Sequence, residues 1–254
     1  QWKVNGSNVG TNSSTFTSST LSNNDQVTCT MTSSIVCATP TTSTSNTITM
    51  TVNPVVTPSV SITASATTIC SGTSVTFTAT AVNGGTTPSY QWKLNGSNVG
   101  TNSSTYTNST LVNGDVINCI LTSNALCATI RTATSNNITI TVNPIIVPSV
   151  SIAASATTIC AGTNVTFTAT PINGGTPVYT WKLNGNTVGT NAATYANAAL
   201  VNGDVVTCNM TSSAACATPS SVTSNAVTMV VNTTSTPTLS ISSSATTICY
   251  GNMV

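Results

Sequence analysis

Apolar and polar residues alternate with a period of two along most of this chain. In the segment 74–80, Val75, Phe77 and Ala79 fall on one side and threonines fall on the other. The same alternation recurs around Cys119. A period of two is typical of strands that bury one face, and no segment shows a useful length of the 3.6-residue period of an amphipathic helix. The pattern therefore predicts an all-β fold built from short strands.

Asn-Gly pairs separate several of these strands, at 95–96, 113–114, 184–185 and 202–203. Such pairs adopt the positive φ angles that tight turns between antiparallel strands require. Short strands with one buried face, joined by turns of this kind, are typical of a sandwich of two sheets with about seven strands. We therefore expect β-sandwich domains.

The sequence repeats itself with a period of about 90 residues. Self-similarity at a fixed period indicates that one structural unit is repeated along the chain. Tryptophan followed by Lys, Val or Leu, Asn and Gly occurs at Trp2, Trp92 and Trp181, which are 90 and 89 residues apart. Three classes of cysteine repeat with the same steps: Cys29, Cys119 and Cys208; Cys37, Cys127 and Cys216; and Cys70, Cys160 and Cys249. The chain is therefore a tandem array of one domain.

Alignment of the copies predicts four parts in the chain. These are a partial repeat at 1–54, complete repeats at 55–144 and 145–233, and the start of a further repeat at 234–254. The last segment could donate a strand to the partial repeat of a neighbouring molecule, but that repeat would still lack the apolar strand equivalent to 76–90. We favour the interpretation that the sequence is a window onto a longer array.

Charged residues are scarce, at 3% of the chain, with Lys+Arg 4, Asp+Glu 3 and no histidine. This inventory supplies neither an acid–base pair near neutral pH nor four ligands for a structural metal. The formal net charge of +1 gives no basis for binding nucleic acid, and no segment predicts insertion into a membrane. The composition predicts a protein that is not an enzyme and holds no cofactor or metal.

One lysine and one aspartate recur in each complete repeat, as Lys93 with Asp115 and Lys182 with Asp204. Such a pair raises the idea of an internal isopeptide bond. Lys93 follows a tryptophan that is expected to face inward, so its own side chain should face outward. We interpret these residues as a solvated lysine and a turn aspartate.

Two short motifs resemble parts of an immunoglobulin-like domain. The segment 90–96, Tyr-Gln-Trp-Lys-Leu-Asn-Gly, resembles strand C and the turn that follows it, and Asn-Gly-Asp at 113–115 followed by Cys119 resembles the E–F corner and strand F. The usual corner tyrosine is replaced by Ile117, and the usual strand-B cysteine is replaced by Ala79. The tyrosine corner and the usual disulfide between the two sheets are therefore absent.

The longer motif Thr-Thr-Ile-Cys-Ser-Gly-Thr-Ser-Val-Thr-Phe-Thr-Ala-Thr at 67–80 is similar to Ig-like and PKD-like repeats of giant secreted surface adhesins of Bacteroidota, including the SprB-type gliding motility adhesins. The resemblance extends along the whole chain. It implies a secreted, extracellular protein at the cell surface, with a role in adhesion that could include gliding motility.

The immunoglobulin-like resemblance also implies the core. A strand-C tryptophan usually packs at the centre of such a sandwich rather than stacking on a sugar. The strand-F cysteines alternate with outward residues and are expected to be small buried thiols. The predicted core residues are Trp2, Trp92, Trp181, Cys29, Cys119 and Cys208.

Three cysteines per repeat cannot all pair within it. The family pattern implies structural disulfides between Cys70 and Cys127 and between Cys160 and Cys216. A sandwich, however, places Cys70 and Cys127 near turns at opposite ends, beyond the roughly 7 Å that a disulfide allows between Cα atoms. Two alternatives therefore stay open. Cys119 could pair with Cys127 across a hairpin, or the A–B cysteine of one repeat could pair with the F–G cysteine of the next.

The linkers predict a linear rod of immunoglobulin-like β-sandwich domains. The segments 53–59 and 143–149 each contain two prolines and no glycine. Proline fixes φ and favours an extended backbone, so these connections should be semi-rigid.

These observations together predict a repetitive stalk or filament segment of a large cell-surface adhesin, with a mechanical and adhesive role. Its expected partners are further repeats of the same chain, with neighbouring filaments and surface polysaccharide as further candidates. Two alternatives remain open. One is a carbohydrate-binding accessory module of a secreted enzyme, and the other is a structural sheath or matrix fibre.

Overall fold

The computed structural model describes residues 1–251 and 253. Across these residues the regular secondary structure consists of β-strands. The chain divides into two compact units, 1–142 and 143–254, which are described separately below. Within the described residues, no helix is long and apolar enough to span a membrane. The predicted all-β fold is confirmed.

The first unit contains the partial repeat and one complete repeat. The strands of the partial repeat are β1 (Trp2–Val4), β2 (Ser7–Val9), β3 (Gln26–Thr32), β4 (Thr42–Thr44) and β5 (Ile48–Thr49). The strands of the complete repeat are β6 (Ser59–Ala64), β7 (Thr68–Cys70), β8 (Val75–Val82), β9 (Ser89–Leu94), β10 (Ser97–Val99), β11 (Thr105–Asn108), β12 (Val116–Thr122), β13 (Thr132–Thr134), β14 (Ile138–Thr139) and β15 (Thr141–Asn143).

The second unit contains a complete repeat followed by the segment 233–251, which has no strand. The strands of this repeat are β16 (Ser149–Ala154), β17 (Thr158–Cys160), β18 (Val165–Ile172), β19 (Val178–Leu183), β20 (Asn186–Val188), β21 (Thr194–Asn197), β22 (Val205–Thr211), β23 (Ser221–Thr223), β24 (Val227–Thr228) and β25 (Val230–Asn232).

Each complete repeat is an immunoglobulin-like sandwich of two antiparallel sheets. In the first unit one sheet has the strand order β11-β8-β6, and the other has the order β10-β9-β12-β13 with β14 also paired to β12. The second unit has the same order in β16-β18-β21 and β20-β19-β22-β23, with β24 on β22. The short strands β7 and β15 form a further pair, as do β17 and β25.

The period-two pattern of the sequence corresponds to a buried face and an exposed face on each of these strands. In β8 the side chains of Val75, Phe77 and Ala79 are buried, and the threonines between them are exposed. In β12, Ile117 and Leu121 are fully buried. Burying apolar side chains in this way contributes roughly 1.5–3 kcal/mol for each large one, so the alternation fixes which face turns inward.

An aromatic cluster lies at the centre of each complete repeat. The ring centroid of Trp92 is 6.3 Å from that of Phe77 and 5.9 Å from that of Tyr106. The indole N–H donates to the backbone carbonyl of Ser103 over 2.9 Å, so the polar atom of this buried ring has a partner. Trp181 makes the equivalent hydrogen bond to the carbonyl of Ala192 over 2.9 Å.

The partial repeat has only one of the two sheets. Its strands follow the order β2-β1-β3-β4 with β5 on β3, which matches the second sheet of the complete repeats. Among residues 1–54 there is no counterpart of β6, β7 or β8. As a result Trp2 and Cys29 are only half-buried, although Val27 is buried.

Candidate functional site

The second and last strands of each complete repeat lie side by side, and we call this pair the terminal-strand patch (β7 with β15, and β17 with β25). In the second unit the pairing is parallel, with Thr158 opposite Val230 and Cys160 opposite Asn232. Two further backbone hydrogen bonds extend it, from Val230 N to Thr157 O at 2.8 Å and from Ala161 N to Asn232 O at 2.9 Å.

The terminal-strand patch of the first unit is held by equivalent contacts. Thr141 N donates to Thr67 O over 2.8 Å, which is the counterpart of the bond from Val230 to Thr157. The central residue of β7, Ile69, is buried, as is Ile159 of β17. Each patch is therefore held both by backbone hydrogen bonds and by one apolar side chain inserted into the core.

A second contact holds strand β6 and its counterpart β16, and we call it the amide clamp. The side chain of Asn136 accepts from Ile62 N over 2.9 Å and donates to Ile62 O over 3.2 Å. Asn225 does the same to Ile152, at 2.9 and 3.0 Å. The amide thus takes the place of a neighbouring strand, since it satisfies both backbone groups of one residue.

A serine positions the amide clamp. The hydroxyl of Ser135 accepts from Cys119 N over 2.9 Å and donates to the backbone carbonyl of Asn136 over 2.8 Å. Sequence reasoning missed this feature. The available signal is the tripeptide Thr-Ser-Asn, which recurs at 44–46, 134–136 and 223–225.

A third polar contact, which we call the corner cluster, joins two turns at one end of the sandwich. Asn95 has a φ of 51° in the turn between β9 and β10. Its side-chain N–H donates to Asp115 Oδ1 over 2.8 Å, and its side-chain oxygen accepts from Val116 N over 2.9 Å. The other carboxylate oxygen of Asp115 accepts from Val112 N over 2.9 Å.

Asp115 is a turn residue, as predicted, but it is also buried, with 5% of its surface exposed. Burial of a carboxylate is costly unless hydrogen-bond donors surround it, and Asn95 and Val112 supply those donors. The ammonium group of Lys93 lies elsewhere and donates to the carbonyl of Gly96 over 3.2 Å.

The corner cluster recurs in the other copies. The corresponding distance from the amide nitrogen to the carboxylate oxygen is 2.7 Å between Asn184 and Asp204 and 2.7 Å between Asn5 and Asp25. In the partial repeat, the hydrogen bond from the backbone of Ser22 and then that from Asn5 hold the pKa of Asp25 below its ordinary value. Both donors favour the ionised carboxylate.

Four of the six residues predicted for the core lie at the centres of the two complete repeats, whereas Trp2 and Cys29 of the partial repeat are only half-buried. Trp92, Trp181, Cys119 and Cys208 are fully buried. Burial raises the pKa of the Cys119 thiol to about 11, opposed in part by a hydrogen bond with the backbone of Gln91. Burial likewise raises the pKa of Cys208. These thiols are therefore poor nucleophiles at neutral pH.

The disulfides implied by the family pattern are not formed. Cys70 and Cys216 are disulfide-bonded, whereas Cys127 and Cys160 are free and exposed. The pairs Cys70–Cys127 and Cys160–Cys216 are thus wrong, and a bond between Cys119 and Cys127 is excluded because both are free thiols.

The prediction failed because Cys70 and Cys127 lie at opposite ends of the sandwich. The carbonyl of Cys127 accepts from Val56 N over 3.1 Å, just before β6 begins. Cys70 ends β7, on the far side of β6. A strand of this length spans about 20 Å at roughly 3.3 Å per residue, whereas a disulfide allows about 7 Å between Cα atoms.

No group of three or more His, Cys, Asp or Glu side chains that could hold a metal ion occurs in the part of the chain that the structure describes. A groove with a volume of about 650 Å³ lies against the sheet of the partial repeat and is lined by Gln1, Asn12, Ser13, Ser14, Cys29, Thr30, Met31 and Thr32. The side chains that line this groove are uncharged.

Comparisons with known proteins assign this chain to no family. No family model matches the chain, and no curated protein matches it. Among solved structures it is similar to murine CEACAM1b, with 12% identity and a TM-score of 0.34 over 68% of this chain and 100% of that chain. It is also similar to fibronectin(III)-like modules of Clostridium thermocellum CbhA, with 15% identity and a TM-score of 0.32 over 67% of this chain and 94% of that chain. Similarity of this degree carries no information on function.

Proposed function

We propose that this chain is part of an extracellular stalk of a large cell-surface adhesin, in which each repeat resists mechanical tension. The observation that carries the proposal is the terminal-strand patch. In the second unit, β17 near the start of the repeat runs parallel to β25 at its end. Tension on the two ends would pull these strands past each other.

The resistance of the repeat to mechanical unfolding depends on the direction of the force relative to the two strands. Because β17 and β25 are parallel, a force along the chain loads the hydrogen bonds of the patch in shear. All of them must then fail together, whereas hydrogen bonds pulled open from one end fail one after another. The amide clamp of Asn225 on Ile152 holds β16, the strand that precedes β17.

The other properties of the chain support a structural role outside the cell. Disulfide bonds at Cys70 and Cys216 are typical of oxidising compartments. The copies repeat one core and one set of polar contacts, which suits an array whose units all bear the same load. The family resemblance of the repeat motif supplies the adhesive role and the link to gliding motility in this proposal.

Force spectroscopy on the full chain tests the proposal. Replacing Val230 with proline removes the hydrogen bond to Thr157 in an exposed position, and we expect the unfolding force of that repeat to fall by roughly half. The matched control is Asn186→Pro in β20, an edge strand outside the terminal-strand patch. It should leave the unfolding force unchanged.

Two outcomes would contradict the proposal. In one, both proline variants unfold at the force of the original chain, so the patch is not the mechanical barrier. In the other, the complete repeats already unfold at the low force typical of hydrogen bonds opened one at a time.

A further inference from the structure

The sheet edges of the complete repeat in the first unit differ in how they are protected. One sheet ends at β6 and at β11, and the other ends at β10 and at β13 and β14, which both pair with β12. An edge strand exposes backbone N–H and C=O groups that can pair with a strand of another molecule. Proteins protect such edges with charges, prolines, short strands or covering groups. The protection of each edge therefore indicates whether it can bind another chain.

Three of these edges are protected. The amide clamp of Asn136 occupies both backbone groups of Ile62 at the edge of β6. Strand β10 has three residues and lies between Gly96 and Gly100, whose positive φ angles of 83° and 68° end the extended backbone on both sides. Strands β13 and β14 have three and two residues, and the charged Arg131 immediately precedes β13.

Strand β11 is the unprotected edge. Its sequence, Thr-Tyr-Thr-Asn at 105–108, contains no charge, proline or glycine. It is the last strand of its sheet and pairs with β8 on one side. In the second unit, β21 has the sequence Thr-Tyr-Ala-Asn at 194–197 and is likewise the last strand of its sheet. Both complete repeats therefore carry the same kind of open edge.

The hydrogen-bond pattern shows which backbone groups of β11 face this edge. Ala79 N donates to Ser104 O over 2.8 Å, so these residues form a hydrogen-bonded pair of the antiparallel ladder. Such pairs alternate with pairs whose backbone groups point away from each other and whose side chains lie closer together. Three residues after Ser104, Thr107 opposite Thr76 is a pair of the second kind, and their hydroxyl oxygens are 3.1 Å apart. The N–H and C=O of Thr107 therefore point toward the open edge.

The second unit has the same arrangement around Ala196. Ala169 N donates to Ala193 O over 2.8 Å. Three residues after Ala193, Ala196 lies opposite Thr166 and has the place that Thr107 has in the first unit. Thr107 and Ala196 are both exposed. Each complete repeat thus presents one exposed residue whose two backbone groups face the edge.

We propose that β11 of one molecule pairs antiparallel with β11 of a second copy, and that β21 pairs with β21 in the same way. Because both backbone groups of Thr107 face the edge, the N–H of each Thr107 donates to the C=O of the other. A two-fold axis then passes between the two residues, and the contact is isologous. The strands carry no charge, so the two copies meet without electrostatic repulsion. Each pairing joins two three-stranded sheets into one sheet of six strands.

A single contact of this kind is small, because each strand has four residues. Each complete repeat carries one such edge, and contacts that are linked in one chain reinforce each other through their effective concentration. Association through these edges would hold neighbouring chains side by side. It does not depend on how the repeats respond to tension, so this inference and the proposed stalk function can fail separately.

Sedimentation velocity of the full chain over a range of concentrations, with the exposed thiols alkylated, tests the proposal. We expect the original chain to associate as its concentration rises. Residue 107 faces itself across the two-fold axis, so Thr107→Lys combined with Ala196→Lys places like charges directly opposite each other. The same two changes to Glu do so with the opposite sign. Each double variant alone should associate at least about tenfold more weakly.

Mixing the Lys variant with the Glu variant gives the sharpest outcome. Each Lys then faces a Glu, so association should return at least to the level of the original chain. The matched control is Asn98→Lys combined with Thr187→Lys, which adds the same charge at exposed positions of the protected edge strands β10 and β20. It should associate like the original chain.

Hydrogen exchange reports on the strand itself. The N–H of Thr107 faces solvent in the monomer, so its exchange should slow as the protein concentration rises. The N–H of Tyr106 points toward β8 in the same ladder, so its exchange should not depend on concentration.

Several results would overturn the proposal. A monomer at every concentration would do so, as would an equal loss of association in the β10 and β20 control. A mixture of the Lys and Glu variants that associates as weakly as either variant alone would also overturn it, because residue 107 would then not face itself. Exchange at Thr107 that is independent of concentration would exclude β11 as the contact.

Discussion

Asn95 donates its side-chain amide to a carboxylate oxygen of Asp115 over 2.8 Å, and this bond joins two turns that are 20 residues apart in the chain. The aspartate is the sole buried carboxylate of its repeat within the described residues. Because the chain has few positively charged side chains, this buried carboxylate is stabilised by hydrogen-bond donors instead. The two turns provide those donors.

Removing the carboxylate should destabilise this end of the sandwich. We expect Asp115→Ala to cost about 2–3 kcal/mol, because the Val112 N–H and the Asn95 amide lose a charged acceptor in a buried site. Hydrogen exchange of the backbone amides of Val112 and Val116, followed by NMR, measures the local loss of protection.

The sister repeat supplies the control for this experiment. In Asp115→Ala, the amides of Val201 and Val205 beside Asp204 should keep their protection. Asn95→Gly keeps a residue that tolerates the positive φ of this turn and removes only the side chain, so it should reproduce part of the loss. Unchanged exchange in both variants would show that the corner cluster contributes nothing to stability.

Truncating the central indole should weaken one repeat and spare the other. We expect Trp92→Ala to cost about 3–5 kcal/mol, because it removes the ring that packs against both Phe77 and Tyr106 and leaves a cavity. Scanning calorimetry should show one transition at lower temperature and the transition of the Trp181 repeat unchanged. Trp2→Ala should cost less stability, because the Trp2 ring is only half-buried. An unchanged thermogram for Trp92→Ala would mean that the Trp92 ring is not part of the core.

Eight of the nine cysteines should react in three groups, and the free, half-buried Cys29 should react at an intermediate rate. In the native protein without reductant, an alkylating reagent should modify the exposed thiols Cys37, Cys127, Cys160 and Cys249. Cys119 and Cys208 should react only after unfolding, because they are buried with raised pKa values. Cys70 and Cys216 should react only after reduction. Peptide mass spectrometry separates the groups, and protection of Cys127 together with Cys70 would revive the pair that the family pattern implied.

Alkaline pH should lower stability through the buried thiol. Because burial raises the pKa of Cys119 to about 11, the unfolded chain loses this proton first as the pH rises. The thiol's contribution is therefore complete below its ordinary pKa, about 8.5, and is lost as the pH approaches 11. The free energy of unfolding of the original chain and of Cys119→Ala should converge over this window in urea titrations. A constant difference from pH 8 to pH 11 would contradict the prediction.

The sequence predicted the faces of the strands because the cause of that pattern is local. Val75, Phe77 and Ala79 stand on one side of β8 whatever the rest of the chain does, and only one side of the strand can meet the core. Trp92 and Cys119 follow the same logic, because each falls on the inward side of its strand.

The missed features depend on residues that are far apart in the chain. Asn136 lies 74 residues from Ile62, and nothing in the local sequence indicates that its amide will meet that backbone. The disulfide prediction failed for a related reason, because pairing depends on which ends of a sandwich meet and the spacing of Cys70 and Cys127 does not encode that. Asp115 was placed in its turn, but its burial depends on a second turn around Asn95.

The indole of Trp92 donates to a backbone carbonyl, and the residue that provides this carbonyl is Ser103 in one repeat and Ala192 in the next. The clamp of Asn136 and the corner carboxylate of Asp115 likewise address backbone atoms, in Ile62 and Val112. Each of these hydrogen bonds makes no demand of its own on the side chain of the residue that it contacts, as the change from Ser103 to Ala192 shows. Copies of the repeat can therefore diverge during evolution while the geometry that each copy needs for folding stays the same.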